Sequence, residues 1–437
     1  MGRGKKKEEN LTLEEKLEQA LVLKEEWPYE VPGNWCWVKL SDLCDDIRAG
    51  GDKPKNITAV KTYENKVPVV ANGIIDDGII GYTDCEKENS NTITVSGRGT
   101  IGYSIFRDYS YFPVVRVIVI SPKENVVGLY IKYAFDNFKE AGTGTSIPQL
   151  TVPMILNKSI PLPPLSEQQQ IIYYIQRLFA KLDEAKEKVQ FVLENSENRK
   201  AAILHKAFSG KLTEQWRREQ GIEWDSWKIQ KMSSLGKLER GKSKHRPRND
   251  PSLFGDKYPF IQTGDVSEAN VYIKKHKQSL SELGLKQSRL FPAGTLCITI
   301  AANIGNVAIL SYDSCFPDSV VGFTPYDEID SKYIYYAMCT MQKKLEAEAP
   351  ATAQKNINLK VLNDITLNVP LFSEQHEIVK ILNELLEKEN RIEIICDNIF
   401  TQIDLLKKSI LSRAFRGELG TNNPDEESAI ELLKTIL

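Results

Sequence analysis

The stretch PLPPLSEQQQIIYYI, residues 161–175, returns in altered form as NVPLFSEQHEIVKIL at 368–382. From Ser166 to Ser373 the offset is 207 residues, and ILHKAFSGKL (203–212) and ILSRAFRGEL (410–419) share it. A segment of about fifty residues is therefore present twice. Ser166 and Ser373 follow proline-containing runs and are placed to N-cap a helix. Ser166 with Gln169 also fits a capping box. Beyond them, apolar residues recur at alternating steps of four and three. The first copy visits Ile171, Ile175, Leu178, Leu182, Ala185, Val189, Val192, Ser196, Arg199 and Ile203. The second visits Ile378, Leu382, Leu385, Glu389, Ile392, Cys396, Ile399, Ile403, Leu406 and Ile410. That spacing is a coiled-coil seam sustained for more than four heptads. Each helix has about 40 residues, on the order of 60 Å, and ends at a glycine suited to the C′ position, Gly210 or Gly417. Two independent helices are the alternative. Matched length, seam and ends favour two helices packed on each other, antiparallel, about a pseudo-two-fold axis.

Ahead of each helix lies a variable front. NWCWVKLSDL (34–43) answers to SWKIQKMSSL (226–235), VPVVANGII (67–75) to YPFIQTGDV (258–266), and ITVSGRGTIGYSIF (93–106) to ITIAANIGNVAIL (298–310). Tyr130-Ile131-Lys132-Tyr133-Ala134 answers to Tyr333-Ile334-Tyr335-Tyr336-Ala337. Short β-branched and aromatic runs split by Gly, Pro and Asn predict strands and turns with a helix or two. The predicted class is α+β: two similar α/β domains separated by two long helices. The expected divisions are an N-terminal helical segment (1–33), a first domain (34–160), the central helix (161–212) and a linker with the second domain (213–367). The C-terminal helix (368–419) and a tail helix (420–437) complete them. Acidic amphipathic helices are expected in LTLEEKLEQALVL (11–23) and EESAIELLKTIL (426–437), packed near the far end of the paired long helices.

At 437 residues with 41% apolar and 27% charged content, the chain is expected to be soluble and multidomain. No apolar run approaches a membrane span, and the basic-then-acidic start lacks a secretory h-region. Seven scattered cysteines without CxxC predict a reducing, cytoplasmic setting; four histidines without HExxH leave no metal site to expect. Net charge is −2, yet residues 227–365 carry nineteen Lys/Arg against fourteen Asp/Glu. A local excess of that kind attracts phosphates whatever the total.

Four patterns bear on chemistry. Gly97-x-Gly99-x-x-Gly102 is a literal GxGxxG, but YSIFRDYSYF follows it and reads as a strand. A phosphate cradle needs a helix there. A glycine-rich hairpin is expected instead; a hairpin that also approaches DNA, through Arg98 or Thr100, is the second reading. Pro317-Asp318 with Asp330-Ser331-Lys332 mimics a metal-dependent nuclease pattern, although helix capping explains Asp330 equally. The basic loop GKLERGKSKHRPRND (236–250) offers Arg240, Lys242, Lys244, His245, Arg246 and Arg248 to phosphates or guanine edges. Its counterpart RAGGDKPKN (48–56) offers Arg48, Lys53 and Lys55. A solvated loop is the alternative for both. Asn72, Gln262, Thr263 and Asn303 suit base-edge readout, though strand-end turns use the same residue types.

The doubled PLPPLSEQ-like starts and AF-x-G-x-L ends, with LTEQWRREQG (212–221), TLEEKLEQAL and EESAIELLKTIL, make the chain resemble the specificity subunit of type I restriction–modification systems over nearly its whole length. VPLFSEQ departs by lacking one proline. The resemblance implies a non-catalytic reader of double-stranded DNA with two target-recognition domains, one for each half of a bipartite, asymmetric site. It implies that the coiled coil sets the gap and docks two methyltransferase subunits, with restriction subunits joining outside. No cofactor is implied in this chain; AdoMet belongs to the methyltransferase partner. The Asn/Asp-Pro-Pro-aromatic tetrapeptide of amino methyltransferases is absent from the sequence, and NNPDE (422–426) reads as a tail turn. A coiled-coil scaffold with two protein-binding heads is the rival reading.

Overall fold

The computed structural model describes residues 11–137, 149–156, 158–244, 247–301, 303–348 and 357–437. The chain divides into two units, one of residues 1–189 with 398–437, the other of 190–397. Each unit takes part of both repeated segments, so the long helices are not separate bodies.

In the first unit, strands Cys44–Ala49, Val117–Pro122, Thr92–Ser96 and Ser104–Arg107 form an antiparallel sheet in that spatial order. A three-stranded sheet orders Ile79–Thr83, Val67–Val70 and Phe112–Pro113. Strand Cys36–Lys39 pairs with Ser159–Leu162, which leads into the first long helix. The core gathers Ile93, Val95, Ile118 and Ile120 from the sheet, Tyr130 and Ile131 from helix Gly128–Asn137, and Ile171 and Ile175. Leu411, Ala414 and Phe415, from the end of the second long helix, join the same core. Helices Leu13–Ala20 and Ala429–Ile436 also belong to this unit, and the Lys16 ammonium donates to the Leu437 carbonyl at 3.0 Å.

The second unit repeats this plan with larger sheets. One orders Gly236–Arg240, Val320–Pro325, Leu296–Thr299, Val307–Leu310 and Tyr272–Ile273; the other orders Phe254–Gly255, Gln278–Leu280, Tyr258–Phe260, Ser314–Cys315 and Leu290–Phe291. Lys228–Lys231 pairs with Thr366–Val369 ahead of the second long helix. Tyr333, in helix Ser331–Glu348, matches Tyr130: each is fully buried, and each hydroxyl donates to a carbonyl of the strand before a long helix, Asn368 at 2.6 Å and Pro161 at 2.7 Å.

The repeated SEQ tripeptide does work that capping logic did not foresee. The helices begin at Leu165 and Phe372, so Ser166 and Ser373 lie inside the first turn rather than at its cap. The carbonyls of Pro164 and Leu371 accept the opening helical bonds instead, and the Ser166 hydroxyl donates to Glu426 at 2.7 Å. The glutamines are buried and pin each helix to the chain before it: Gln168 donates to the Pro163 carbonyl and Gln375 to that of Pro370, both at 3.0 Å. The glutamates are wholly buried hubs. Glu167 accepts from Trp35 Nε1 (2.7 Å), Thr421 Oγ1 (3.1 Å) and Asn422 Nδ2 (2.9 Å). Glu374 accepts from Trp227 Nε1 (3.0 Å), Thr213 Oγ1 (2.6 Å) and Arg217 Nη1 (2.5 Å). Each hub therefore joins its own front's tryptophan to the segment that follows the other copy's helix.

The second long helix is continuous over Phe372–Phe415, but the first is not. It runs Leu165–Glu194, breaks at Asn195, and resumes as Ser196–Phe208. Asn195 Nδ2 donates to the Phe191 carbonyl (2.8 Å) and Arg199 Nη1 to that of Val192 (2.9 Å), so side chains compete for backbone acceptors at the break. The seam residues Ile171, Ile175, Ile378, Leu382 and Ile403 are buried, and Leu178, Leu182, Val189, Leu385, Ile392 and Ile399 are half-buried. Val192 and Leu406 depart from the expected seam and are exposed. Beside Leu406 the inward position goes to Lys407, whose ammonium lies 5.1 Å from the Phe179 ring centroid and pairs with Asp183 at 2.5 Å. Of the polar seam positions, Arg199 pairs with Glu389, its Nε reaching both carboxylate oxygens (3.2 and 2.9 Å), while Ser196 donates to the flanking Glu393 (2.6 Å), which also accepts from Lys200 (2.7 Å). The Lys200 and Ser196 bonds hold the Glu393 carboxyl below the usual carboxylate range. Such pairs set helix register.

Both helices end as the glycines predict. Gly210 adopts φ 71° and Gly417 φ 74°, the left-handed C′ conformation. A Cβ at Gly210 would also lie 2.0 Å from the Trp224 ring. Gly210→Ala is expected to lower thermal stability by more than the ~1 kcal/mol of left-handed strain alone. Gly420→Ala, at φ 76° with open space around it, supplies that baseline. Equal melting-temperature shifts for the two variants would contradict the steric argument.

Candidate nucleic-acid interface

Strand register brings the candidate residues of each unit to one shared end of its strands, an edge built by both of its sheets. In the first unit, Ala49 lies opposite Ile118 and Ser96 opposite Val117, and the Gly50 N–H donates to the Val117 carbonyl at 2.7 Å. The loops that leave Ala49 and Ser96 therefore emerge beside the 114–116 segment. Val67–Val70 runs parallel to Phe112–Pro113 and delivers Asn72 to the same edge. In the second unit, Arg240 lies opposite Val321, Thr299 lies opposite Val320, and Gly241 N–H donates to the Val320 carbonyl at 2.9 Å. Tyr258–Phe260, parallel to Ser314–Cys315, brings Gln262 and Thr263 there. The two edges are equivalent, and their loops differ in length and charge.

At the first edge, Arg48 is held by Asp46 (2.8 Å) and by Glu88, whose carboxyl burial pushes above its usual value. Lys53 and Lys55 are exposed on the following loop. The Asn72 amide serves the backbone: Oδ1 accepts from Gly97 N–H (2.8 Å) and Nδ2 donates to the Val115 carbonyl (2.9 Å). Arg98 is exposed and donates to Gln149 Oε1 at 2.9 Å; Thr100 beside it is exposed. The GxGxxG segment is a hairpin, closed by Gly102 N–H to the Ser96 carbonyl at 2.8 Å. Strand Ser104–Arg107 follows it in the chain, where a phosphate cradle would continue into a helix.

At the second edge, Asp318 gathers two arginines. Arg248 Nη2 meets its carboxylate at 2.8 Å, and Arg240 donates to its carbonyl. Lys242 is half-buried, its carbonyl accepting from Ser288 Oγ at 3.1 Å, and Lys244 is exposed. His245 and Arg246 lie outside the described residues. Gln262 caps helix Thr263–Ser267 and its side chain donates to Gln278. Thr263 is half-buried in that helix, and its carbonyl accepts from Ser267 Oγ at 2.9 Å. Asn303 Nδ2 (3.2 Å) and Asn306 Nδ2 (2.7 Å) converge on the Ser267 hydroxyl. Asp330 caps helix Ser331–Glu348, accepting from the N–H groups of Lys332 (2.7 Å) and Tyr333 (3.0 Å). The two carboxylates of the nuclease-like pattern are thus engaged separately, one as an arginine partner and one as a cap.

The structure adds Val115 and Arg116 to the first edge. In the run FPVVRVIVI both read as strand interior, whereas both backbones are left-handed and both side chains exposed. No local signal marks them.

The model of the type I restriction modification DNA specificity domain matches residues 32–194 and again 225–395. The chain is 27% identical over 302 residues to the type I restriction enzyme EcoBI specificity subunit of Escherichia coli, covering 63% of each chain. It is 34% identical over 145 residues to a Mycoplasma pneumoniae protein named provisionally as a type I specificity subunit, covering 31% of this chain and 39% of that protein. The matches thus span less than two thirds of these relatives' own length. A solved structure from work on complex assembly and conformational transition of the type I R-M system shares the fold, with a TM-score of 0.67 at 18% identity over 90% of this chain and 100% of that one.

Proposed function

We propose, because the chain belongs to the type I restriction modification DNA specificity family, that it is the DNA sequence-specificity subunit of a restriction–modification complex. Each unit reads one half of a bipartite, asymmetric site with the sheet edge described above. The observation that carries this is the pair of equivalent edges furnished with unlike loops. Two like scaffolds with unlike surfaces suit two different half-sites.

The two long helices form an antiparallel coiled coil about a pseudo-two-fold axis and set the unread gap. Within the first unit Asp183 pairs with Lys407, and within the second Arg199 pairs with Glu389 and Lys200 with Glu393. The crossed hubs at Glu167 and Glu374 support the same sense. Two methyltransferase subunits dock on these helices, and restriction subunits join outside them. Phe191, Ile394 and Ile395 are exposed apolar positions of the kind such docking covers. The chain itself is non-catalytic and works in the cytoplasm, and AdoMet is held by the methyltransferase partner. Among the described residues no helix is long and apolar enough to cross a membrane.

The test is methylation of random-sequence DNA by the partner methyltransferase and AdoMet, with and without this chain, read by methylation-sensitive sequencing. Methylation at a split, asymmetric motif only when the chain is present is the expected result. Methylation that ignores the chain, or falls on an unsplit motif, would move a protein-binding scaffold into first place.

A further inference from the structure

Val115 and Arg116 are successive non-glycine residues at φ 39° and 65°. For a β-branched residue that backbone is a genuine outlier, and such strain persists only where surroundings over-determine it. Here they do. Val115 N–H donates to the Gly51 carbonyl at 2.8 Å, its own carbonyl accepts from Asn72, and Val114 N–H donates to the Val70 carbonyl at 2.8 Å. The strain is not offset by burial, because Val115 is 48% exposed. Arg116 is exposed, and its side chain has no hydrogen-bond or ion-pair partner among the described residues. In the second unit the register places Asp318 and Ser319 at these two positions, without positive φ, and Asp318 is held by Arg240 and Arg248. A plain turn at this edge therefore needs no strain.

We propose that the Val115–Arg116 bend is a base-reading element of the first unit, a role that rests on the specificity-subunit reading. Arg116 donates its guanidinium fork to the O6 and N7 of a guanine in the major groove, and Val115 covers the apolar edge of the adjacent pair, as a thymine methyl requires. Phosphate contacts tolerate mobile cations, which Lys53 and Lys55 supply on the neighbouring loop. Base contacts require a fixed origin, and Asn72 with Gly51 provides one.

The experiment reconstitutes the complex with Arg116→Ala, Arg116→Lys or wild-type chain and sequences the methylated products of a random library, with melting temperatures as the folding control. Both variants are expected to lose about 10- to 100-fold of the preference at one base pair of one half-site, leaving the other half intact. Lysine keeps the charge without the fork. If Arg116→Lys retains the wild-type motif while Arg116→Ala weakens methylation uniformly, the residue is a phosphate contact and the proposal is overturned. An unchanged motif in both variants overturns it equally. If the wild-type chain directs no split motif, the specificity reading itself falls and takes this one with it, whereas a wild-type split motif with unaltered variants removes only the bend's role.

Discussion

Glu374→Ala is expected to destabilise the second unit by about 3–5 kcal/mol, because it leaves the buried Arg217 guanidinium without its counter-charge. Arg217 Nη2 donates to the Gly210 carbonyl at 2.6 Å, and the guanidinium lies 4.6 Å from the Trp224 ring centroid, contacts it would give up by turning to water. Glu374→Gln is expected to cost nearly as much, since the amide keeps the shape and removes the charge. Glu167 behaves differently although it occupies the same place in the repeat. Its partners Trp35, Thr421 and Asn422 are all neutral, so Glu167→Gln strands no cation and is expected to cost only about 1 kcal/mol. Thermal melts of the two Gln variants check this; Trp224 and Trp227, stacked 5.4 Å apart, report the second unit. Equal losses at Glu167 and Glu374 would show that the ion pair is not what distinguishes them.

Exchanging residues 34–150 for the corresponding front of another member of the family is expected to replace one half of the recognised site and leave the other unaltered. The reason is that each front meets a long helix and the strand before it through contacts the chain uses twice. Trp35 donates to Glu167 and Tyr130 to Pro161 in the first unit, as Trp227 donates to Glu374 and Tyr333 to Asn368 in the second. A grafted front that brings an equivalent tryptophan and tyrosine can seat without repacking the helices. The Tyr130 and Phe415 ring centroids, 5.2 Å apart, mark the interface that such a graft must respect. The measurement is the methylation motif of the reconstituted complex. A change in both halves would mean that the units do not read independently.

Much of this protein is legible in its sequence, because the informative features are local and periodic. The heptad spacing from Ile171 and Ile378, the left-handed glycines at 210 and 417, and the strand-like character of residues 103–112 after GxGxxG depend on near neighbours in the chain. Their conformations follow from short-range sterics and hydrogen bonding. The repeat at 207 residues carried the doubled plan for the same reason. Serine at a helix start reads as a cap, yet Ser166 faces Glu426, and a partner 260 residues away leaves no trace in the local sequence. Nothing in the local sequence marks Glu167 or Glu374; only the arrival of Trp35 and Thr421, or of Trp227, Thr213 and Arg217, buries them. Asn195 interrupts a helix whose heptads run straight through it. Val115 and Arg116 sit in a β-branched run that propensity makes a strand, and contacts to Gly51 and Asn72, more than forty residues distant, force them left-handed. Sequence alone determined what local energetics decide, the elements and their repetition. Tertiary structure decided which polar groups are buried and where the backbone is strained, because both depend on partners that only the folded chain brings together.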